Sequence, residues 1–561
     1  MTSNQAQQVL SSSALPAHLL KRPAGSANPG QTLRVALRLH PRGGDDALYA
    51  RVARLGAQAP AQRQHMDGDM LRAEFAPSVA ALDAVRAFCA DHGFKLDRTA
   101  FGGLFVTVVG KAGDLARAFG VELAMYHFED RQFRGYTGSI ALPATLAPHV
   151  AAVIGLDEVS TLASRRAAQK IDCTVDMNTM QSNPPITVAN DYYQYPTQFS
   201  GKGATVALIE SYLELDMENI TAFFSSLDET VRLEVIRGMR EMGDPFCMSR
   251  FVPPKVNGEA MLDIKLTGAV APGSTLVVYG QEGIYGYSCD GWIDSLMAAL
   301  DRPAFPCHVM SISLGMPESN WPGQLAQSIH FLFALAALQG VTVCVSSGDY
   351  GALGDASGAY AQNCAFPATS PFCLACGGTE LLVSQERALQ GEVVWNELNA
   401  AYEKCATGGG LSTLFELPDF QQGLAMPESF NSNMPAGRGI PDVAGNAALS
   451  SGYALEPDNT GNFYGTSAAA PMWAALIARL IEGNGGKGLG YLNPWLYAGQ
   501  VYGSASYCKP ITQGNNGAPD SGVVFSAADN NVWNACCGLG SPLGGNIANG
   551  LGIDTSEHRR S

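Results

Sequence analysis

The chain has 561 residues, of which 46% are hydrophobic and 15% are charged, and its formal net charge at pH 7 is −16. A chain of this length holds several ordinary domains, or one large domain with an appendage, so we do not expect a single small binding module. The negative charge opposes attraction to phosphate groups and anionic lipids, and we therefore expect neither nucleic acid nor a membrane as a partner.

The first part of the chain predicts a small α+β domain, which we place at residues 1–163. Its predicted elements are a strand at 33–39, an amphipathic helix at 78–92, a strand at 104–109, a helix at 111–119 and a strand at 122–127. Residues 160–187 show no periodicity and contain Arg165, Arg166 and Lys170, which is typical of an exposed connector. We place a linker that is open to proteolytic cleavage at residues 164–186.

From residue 203 the pattern changes to buried strands that alternate with helices. The strand segments are ATVALIE, STLVVYG, HVMSISLG and VTVCVSSGD, and the helices lie at 258–269, 293–300 and 324–338. This alternation predicts an α/β domain, at residues 187–555, with a mostly parallel sheet covered by helices on both faces. In such sheets ligands bind at the carboxyl ends of the strands, so the residues that follow the strands are the candidates for chemistry.

Charge differs between these two parts of the chain. Residues 1–170 contain 19 Lys and Arg against 14 Asp and Glu, whereas the remainder contains 16 against 37. This split fits two unrelated domains, and it also fits two surfaces that attract each other.

No apolar run predicts a membrane span. The nearest candidate, residues 331–345, is interrupted by Gln339 and Gly340 and predicts a buried helix followed by a buried strand. Residues 1–22 have neither an early basic cluster nor the apolar core of a conventional signal peptide.

The 13 cysteines are too few for a disulfide-dense scaffold. Cys373 and Cys376 lie in an apolar segment without a second pair at zinc-binding spacing, so we expect buried thiols. The adjacent Cys536 and Cys537 are either members of disulfides or packed thiols. Neither pair predicts a metal site.

The segment Gly465-Thr466-Ser467 opens an apolar helix and places Ser467 at its N-terminus. Backbone N–H groups at such an end stabilise a developing oxyanion, which makes Ser467 a candidate nucleophile. Taken alone, the same segment also fits an ordinary helix start in which Thr466 or Ser467 is the cap.

A serine nucleophile needs a base, and the usual histidine is hard to find. His308 precedes a strand and His330 lies on the apolar face of a helix, so we expect both to be structural. Glu259 and Asp263 instead stand at i and i+4 on one helix face. Burial and mutual repulsion would raise the pKa of one of them and provide a base that works in acid, although a solvated helix face is the alternative.

A third carboxyl group, Asp349, follows the buried strand VTVCV and should lie at its carboxyl end. In its protonated form it can donate a hydrogen bond to an oxyanion. An Asp after Ser-Ser-Gly is also a common turn residue.

The candidate residues stand in a series of motifs spread over nearly the whole chain. In order, these are HFEDRQFRGYTGSIALPATLAPHVAAVIGLDEV, TVALIE, GEAMLDIKLTGAVAPGS, VSSGDYG, FPATSPFCLACGGT, ATGGGLS, RGIPDVAGNA and YGTSAAAPMWAAL. The series resembles the sedolisins, or serine-carboxyl peptidases, and in particular the kumamolisin-like members with a long N-terminal propeptide. The resemblance implies a subtilisin-like catalytic fold and assigns residues 1–163 to a ferredoxin-like propeptide.

The resemblance also implies roles for individual residues. Ser467 would be the nucleophile and Glu259 the general base. Asp263 would orient Glu259 and share a proton with it, and Asp349 would donate a hydrogen bond to the oxyanion. Glu210 would be a further carboxylate that supports Glu259 and Asp263. The usual Trp of an SIS-Trp-G motif is Leu314 here, so the network around Glu210 should differ. A Glu base implies activity in acid.

Two departures from the family pattern concern ligands. The family binds calcium near its C-terminus through an Asp-Ile pair and a Gly-x-Gly-x-Asp segment. The corresponding residues here are Pro510, Ile511, Asn530, Val532 and Asn534, with Lys509 alongside. Because a hard dication needs charged oxygen ligands, we expect calcium to be lost or weakly bound, although Asp520 and Asp529 nearby could form a different site. Ala365 stands where some relatives carry an acid, so we do not expect a preference for basic substrate side chains.

The leading hypothesis is an acid-acting, monomeric endopeptidase that cleaves proteins or peptides and is made as a zymogen, secreted or delivered to another acidic compartment. Its propeptide would bind at neutral pH through the charge split and loosen in acid. The alternatives are a subtilisin-type protease with a histidine base and a catalytically silent binding protein with the same fold.

Overall fold

The computed structural model describes residues 7–128, 131–161, 182–211, 214–237, 256–280, 290–301, 304–353, 362–400, 404–431, 436–458, 460–517, 522–529 and 532–556. Most of the linker predicted at 164–186 lies outside these residues, as do Asn530 and Asp520. The domain boundaries therefore stay predictions.

The N-terminal part is an α+β unit. Its elements are β1 (Gln7–Val9), β2 (Pro23–Ser26), β3 (Thr32–Leu39), α1 (Gly44–Gly56), α2 (Gly68–Phe75), α3 (Val79–His92), β4 (Lys95–Ala100), β5 (Phe105–Lys111), α4 (Ala112–Ala118), β6 (Glu122–Phe128), β7 (Arg131–Thr137), β8 (Ala141–Pro143) and β9 (Val150–Ile154). An antiparallel sheet has the order β4-β5-β3-β9, and β2, β6 and β7 form a second sheet. Ser78 caps α3 by accepting a hydrogen bond from Ala81 N, and Gly93, at φ 68°, ends the helix.

The C-terminal part alternates strands and helices as predicted. Its elements are α5 (Pro185–Thr187), β10 (Thr205–Glu210), α6 (Met217–Ser226), β11 (Arg232–Arg237), α7 (Gly258–Val270), β12 (Thr275–Gly280), α8 (Gly291–Leu300), β13 (Val309–Ile312), β14 (Met316–Pro317), α9 (Gly323–Gln339), β15 (Thr342–Ser346), β16 (Ala365–Phe366), β17 (Leu374–Val383), β18 (Leu389–Val394), β19 (Gly410–Glu416), β20 (Gly437–Ile440), β21 (Val443–Asn446), α10 (Thr466–Gly483), α11 (Asn493–Gln500), β22 (Cys508–Lys509), β23 (Ser541–Pro542) and α12 (Gly544–Gly550).

The central sheet has the order β11-β12-β10-β13-β15-β17-β18, and β21 also pairs with β17. The strand pairs are parallel except β17 with β18. Helices α7 and α10 pack together against the strands, and α8 and α9 form a second pair. This arrangement confirms the predicted α/β fold with a mostly parallel sheet between helices.

The register of the sheet decides which side chains meet. Ile312 of β13 pairs with Ile209 of β10 on one side and with Val345 of β15 on the other. Glu210 and Ser313, each one residue further on, therefore lie at the same carboxyl edge of the sheet.

The N-terminal part docks on the outer side of α9, where α1 and β9 contact that helix. Gln324 of α9 accepts a hydrogen bond from Val153 N at 3.0 Å and donates one to Ser11 O at 3.3 Å. The buried Arg63 donates to the backbone oxygens of Leu489 and Tyr491. Neutral backbone groups and apolar side chains thus make much of this interface.

The cysteine prediction is confirmed for the described residues. Cys373 and Cys376 are buried thiols whose Sγ atoms contact backbone carbonyls, and Cys536 and Cys537 are packed thiols. Among the helices that the structure describes, none is both long and apolar enough to cross a bilayer.

Candidate active site

Helix α7 carries the two carboxyl groups predicted to face one side. Asn257 caps the helix, because its Oδ1 accepts hydrogen bonds from Glu259 N at 3.1 Å and Ala260 N at 3.2 Å. The side chains of Glu259 and Asp263 are 4% and 0% exposed. The alternative of a solvated helix face is therefore wrong.

Asp263 meets the carboxyl edge of the sheet. Ser313 Oγ lies 2.8 Å from Asp263 Oδ2 and 3.0 Å from Oδ1, and it also lies 3.2 Å from the backbone oxygen of Ser467. Burial raises the pKa of Asp263 to about 8, while the hydrogen bond from Ser313 and the nearby Glu210 favour its ionised form. Asp263 is thus protonated in acid and near neutral pH.

Glu210, at the end of β10, is fully buried. Burial and the charges of Asp263 and Glu259 raise the pKa of Glu210 well above its ordinary value, and its two carboxyl oxygens have no hydrogen-bond partner of ordinary geometry among the described residues. Glu210 therefore keeps its proton beside Asp263. The buried Leu314 offers no donor that would favour an ionised Glu210.

Ser467 is the second residue of α10 and is 6% exposed. Its Oγ donates a weak hydrogen bond of 3.5 Å to Ser313 O, and the nearby hydroxyl lowers the pKa of Glu259 against larger increases from burial and from the charge of Asp263. Glu259 Oε1 is buried and has no hydrogen-bond partner among the described residues. The nucleophile and base of a serine hydrolase have this relation.

Asp349 follows β15 and lies over the start of α10. Its Oδ1 accepts hydrogen bonds from Thr466 N at 2.8 Å and from Thr466 Oγ1 at 2.7 Å, and Thr466 Oγ1 accepts one from Gly348 N at 3.1 Å. Gly465 adopts φ 100°, and a Cβ on it would lie 2.9 Å from Asp349 Oδ2. The glycine therefore allows the carboxyl group to sit beside Ser467.

The five residues implied by the resemblance, Ser467, Glu259, Asp263, Asp349 and Glu210, thus lie around the N-termini of α7 and α10 and the ends of β10, β13 and β15. Sequence reasoning missed Ser313, although it stands just after a buried strand in HVMSIS. It also missed the link between Thr466 and Asp349, for which no sequence signal exists because 117 residues separate them.

The two histidines have partners elsewhere. His308 Nδ1 accepts a hydrogen bond from Thr205 N at 3.0 Å, at the start of β10 and thus at the opposite edge of the sheet. His330 stacks on Phe372 and contacts Ser370 Oγ at 2.9 Å, and burial lowers its pKa to about 3. Both have the structural role expected of them.

Ala365 lies next to Gly348, which precedes Asp349 in the chain. A Cβ placed on Gly348 would be 3.4 Å from the Ala365 Cβ, one residue before Asp349. The side of the site near Gly348 is therefore uncharged at this position.

The family's calcium positions do not fit that ion here. Pro510 is exposed and supplies no side-chain oxygen, Val532 is apolar, and Asn534 donates its amide N–H to Ile511 O at 3.0 Å. Among the residues that the structure describes, no group of three or more His, Cys, Asp or Glu side chains is placed to hold a metal.

Comparison with known proteins supplies the remaining evidence. Residues 22–159 match the family model "Pro-kumamolisin, activation domain", and residues 256–494 match "Subtilase family". The chain is 34% identical to kumamolisin from Bacillus sp. (strain MN-32), over 93% of this chain and 92% of that protein. It is 27% identical to sedolisin from Pseudomonas sp. (strain 101), over 83% and 78% of the two chains.

A solved structure of a serine-carboxyl proteinase also matches this chain. Pseudomonas sedolisin, a serine-carboxyl proteinase, in complex with two molecules of pseudo-iodotyrostatin, matches with a TM-score of 0.56 and 25% identity. The match covers 67% of this chain and 100% of that one.

Proposed function

The chain belongs to the kumamolisin and sedolisin family of serine-carboxyl peptidases, and on this premise we propose that it is an endopeptidase that cleaves protein or peptide substrates in acid, with Ser467 as its nucleophile. It is a serine-type peptidase made as a zymogen with an N-terminal activation domain. The observation that carries the proposal is the nearness of the Ser467 hydroxyl to the buried Glu259, one helical turn from Asp263.

In the proposed reaction, Ser467 Oγ attacks the carbonyl carbon of the scissile bond while Glu259 accepts the hydroxyl proton. The protonated Glu259 then gives this proton to the leaving amine as the C–N bond breaks. Water repeats the sequence on the acyl-enzyme and releases the acid product and free Ser467. Each proton that Glu259 takes is returned within the same half of the cycle.

The oxyanion needs a donor, and Asp349 is the proposed one. Its Oδ1 is held by Thr466, so the carboxyl group is fixed beside the N-terminus of α10. Only a protonated Asp349 can donate, and the positive end of the α10 dipole adds to the stabilisation of the oxyanion. This requirement confines activity to acid.

The three buried carboxyl groups release their protons one at a time, because each charge raises the pKa of the neighbouring groups. We assign the first charge to Glu259, because the nearby Ser467 hydroxyl favours its ionised form. Glu210 and Asp263 then keep their protons beside it. Glu259 is thus the base of the proposed reaction, and Asp263 orients it.

The N-terminal part is proposed to act as a propeptide that binds and inhibits the peptidase domain. Arg98 forms an ion pair with Asp294 of α8 at 3.2 Å, which agrees with attraction between the basic and acidic parts. Asp157 and Asp290 have the opposite effect. Their carboxyl groups line one small cavity between the parts, and burial raises their pKa values to about 6 and about 7.

The pH dependence of propeptide binding thus contains two terms of opposite sign. The ion pair of Arg98 with Asp294 attracts the N-terminal part only while the carboxylate is charged, as the charge hypothesis requires. Burial of Asp157 and Asp290, together with the charge of Asp157 near Asp290, costs free energy above the ordinary pKa of aspartate, and this cost is relieved in acid. We propose that the many remaining acidic groups decide whether acid strengthens or weakens propeptide binding.

We also propose that the enzyme is a monomer that is secreted or works in another acidic compartment.

Digestion of casein from about pH 3 to about pH 8 tests the proposed function. The parent, Ser467→Ala, Glu259→Gln and the exposed control Glu416→Gln are each incubated in acid first. We expect activity in acid for the parent and control only, with release of an N-terminal piece. Activity at neutral pH that survives Glu259→Gln but is lost with substitution of His308 or His330 would indicate a histidine-dependent enzyme, and silence of the parent at every pH would indicate a binding protein.

A further inference from the structure

Two C-terminal segments meet where the family's calcium positions fall. One contains Lys509 and Ile511, and the other contains Asn534. Asn534 Nδ2 donates a hydrogen bond to Ile511 O at 3.0 Å, and these residues are 5% and 1% exposed. The carbonyl oxygen that would face an ion is therefore engaged by a hydrogen-bond donor.

The other end of the Asn534 amide is engaged as well. Its Oδ1 accepts hydrogen bonds from Cys536 N at 3.1 Å and Cys537 N at 2.9 Å. The backbone of Asn534 pairs with Gly538 through bonds of 3.2 and 2.8 Å. One neutral side chain thus closes its own loop and ties that loop to the segment of Ile511.

Lys509 and Glu392, two charged residues described near these segments, are paired without a metal. Lys509 Nζ lies 4.0 Å from Glu392 Oε2, and Glu392 is buried. Glu392 accepts hydrogen bonds from the hydroxyl groups of Tyr193 at 2.9 Å, Thr379 at 2.7 Å and Ser541 at 2.7 Å. This carboxylate is therefore already satisfied by a cation and three donors.

We propose that the Asn534 amide, supported by the contact of Lys509 with Glu392, replaces calcium as the link between the two segments, so that the fold of this protein does not depend on calcium. A neutral amide supplies no negative charge with which to displace the water around a hard dication. The N–H group of Asn534 also engages Ile511 O, a carbonyl oxygen at one of the family's calcium positions. The inference concerns stability and is independent of the peptidase mechanism.

Thermal unfolding of the full-length chain tests the proposal, with Ser467→Ala as the parent so that self-cleavage does not interfere. We expect the same melting temperature in excess EDTA and in millimolar calcium. Asn534→Ala should lower it by about 2–4 °C in both buffers, because a buried donor and acceptor lose their partners. The exposed control Asn399→Ala should leave it unchanged.

A metal probe gives a second readout that needs no variant. Trp533 is fully buried next to Asn534 and would sensitise the luminescence of a terbium ion bound in place of calcium. We expect no terbium emission that calcium displaces. Such emission, a drop in the melting temperature in EDTA that calcium reverses, or an unchanged melting temperature in Asn534→Ala would each overturn the proposal.

Discussion

Replacement of Asp263 by asparagine should stabilise the protein at neutral pH while it removes activity. The pKa of Asp263 is raised from 3.8 to about 8, mainly by burial. A carboxyl group whose pKa is raised in the folded state does not destabilise the fold at a pH below its pKa in the unfolded chain. Above that pKa, it lowers the free energy of unfolding by about 1.4 kcal/mol for each pH unit. At pH 7 the interval is about three units, so the cost is about 4 kcal/mol as an upper limit.

The asparagine side chain has nearly the same shape as the aspartate, still accepts a hydrogen bond from Ser313 and does not titrate. In the Ser467→Ala background, Asp263→Asn should therefore raise the melting temperature at pH 7 by about 5–10 °C and change it little at pH 4. The exposed control Asp91→Asn should show no such pH dependence. An equal change at both pH values, or destabilisation at pH 7, would refute the reasoning from burial.

Three further substitutions test other contacts. Asp349→Ala should lower kcat by about 10²–10³ and change KM little, as steady-state kinetics in acid will show, because the oxyanion loses one donor. Gly465→Ala should reduce activity by about tenfold or more without loss of folding, since a Cβ at φ 100° would press on Asp349; normal activity would contradict the geometry. Asp290→Asn keeps the cap of α8 but removes the charge near Asp157. After linker cleavage, the N-terminal piece should therefore dissociate at least about tenfold more slowly at pH 7 and at an unchanged rate at pH 4. Faster dissociation at pH 7 would show that the two carboxyl groups do not oppose binding.

Much of the fold could be predicted because its signals are local. The strand segments ATVALIE and VTVCV are continuous apolar runs, and a buried parallel strand needs no alternation. The helical period places Glu259 and Asp263 on one face wherever the helix lies, and the helix start at Ser467 follows from Gly465 and the apolar run behind it.

The partners of these residues could not be predicted in the same way. The register of β10 and β13 places Ser313 at the same sheet edge as Glu210, and a slip by one residue would turn its side chain to the other face. Ser313 then meets Asp263 only because α7 packs beside that edge. The bond from Thr466 to Asp349 requires the N-terminus of α10 to lie beside the end of β15. No local propensity encodes either approach.

The sequence by itself determined the α/β class, the order of the strands and helices along the chain, the face of α7 that carries two carboxyl groups and the loss of acidic residues at the family's calcium positions. Only the tertiary structure decided that Glu210 lies near Asp263, that Asp157 and Asp290 line one cavity and that Asn534 donates a hydrogen bond to Ile511. The physical reason is that periodicity and capping act over a few residues, whereas burial and hydrogen bonds between distant segments exist only after the whole chain has packed.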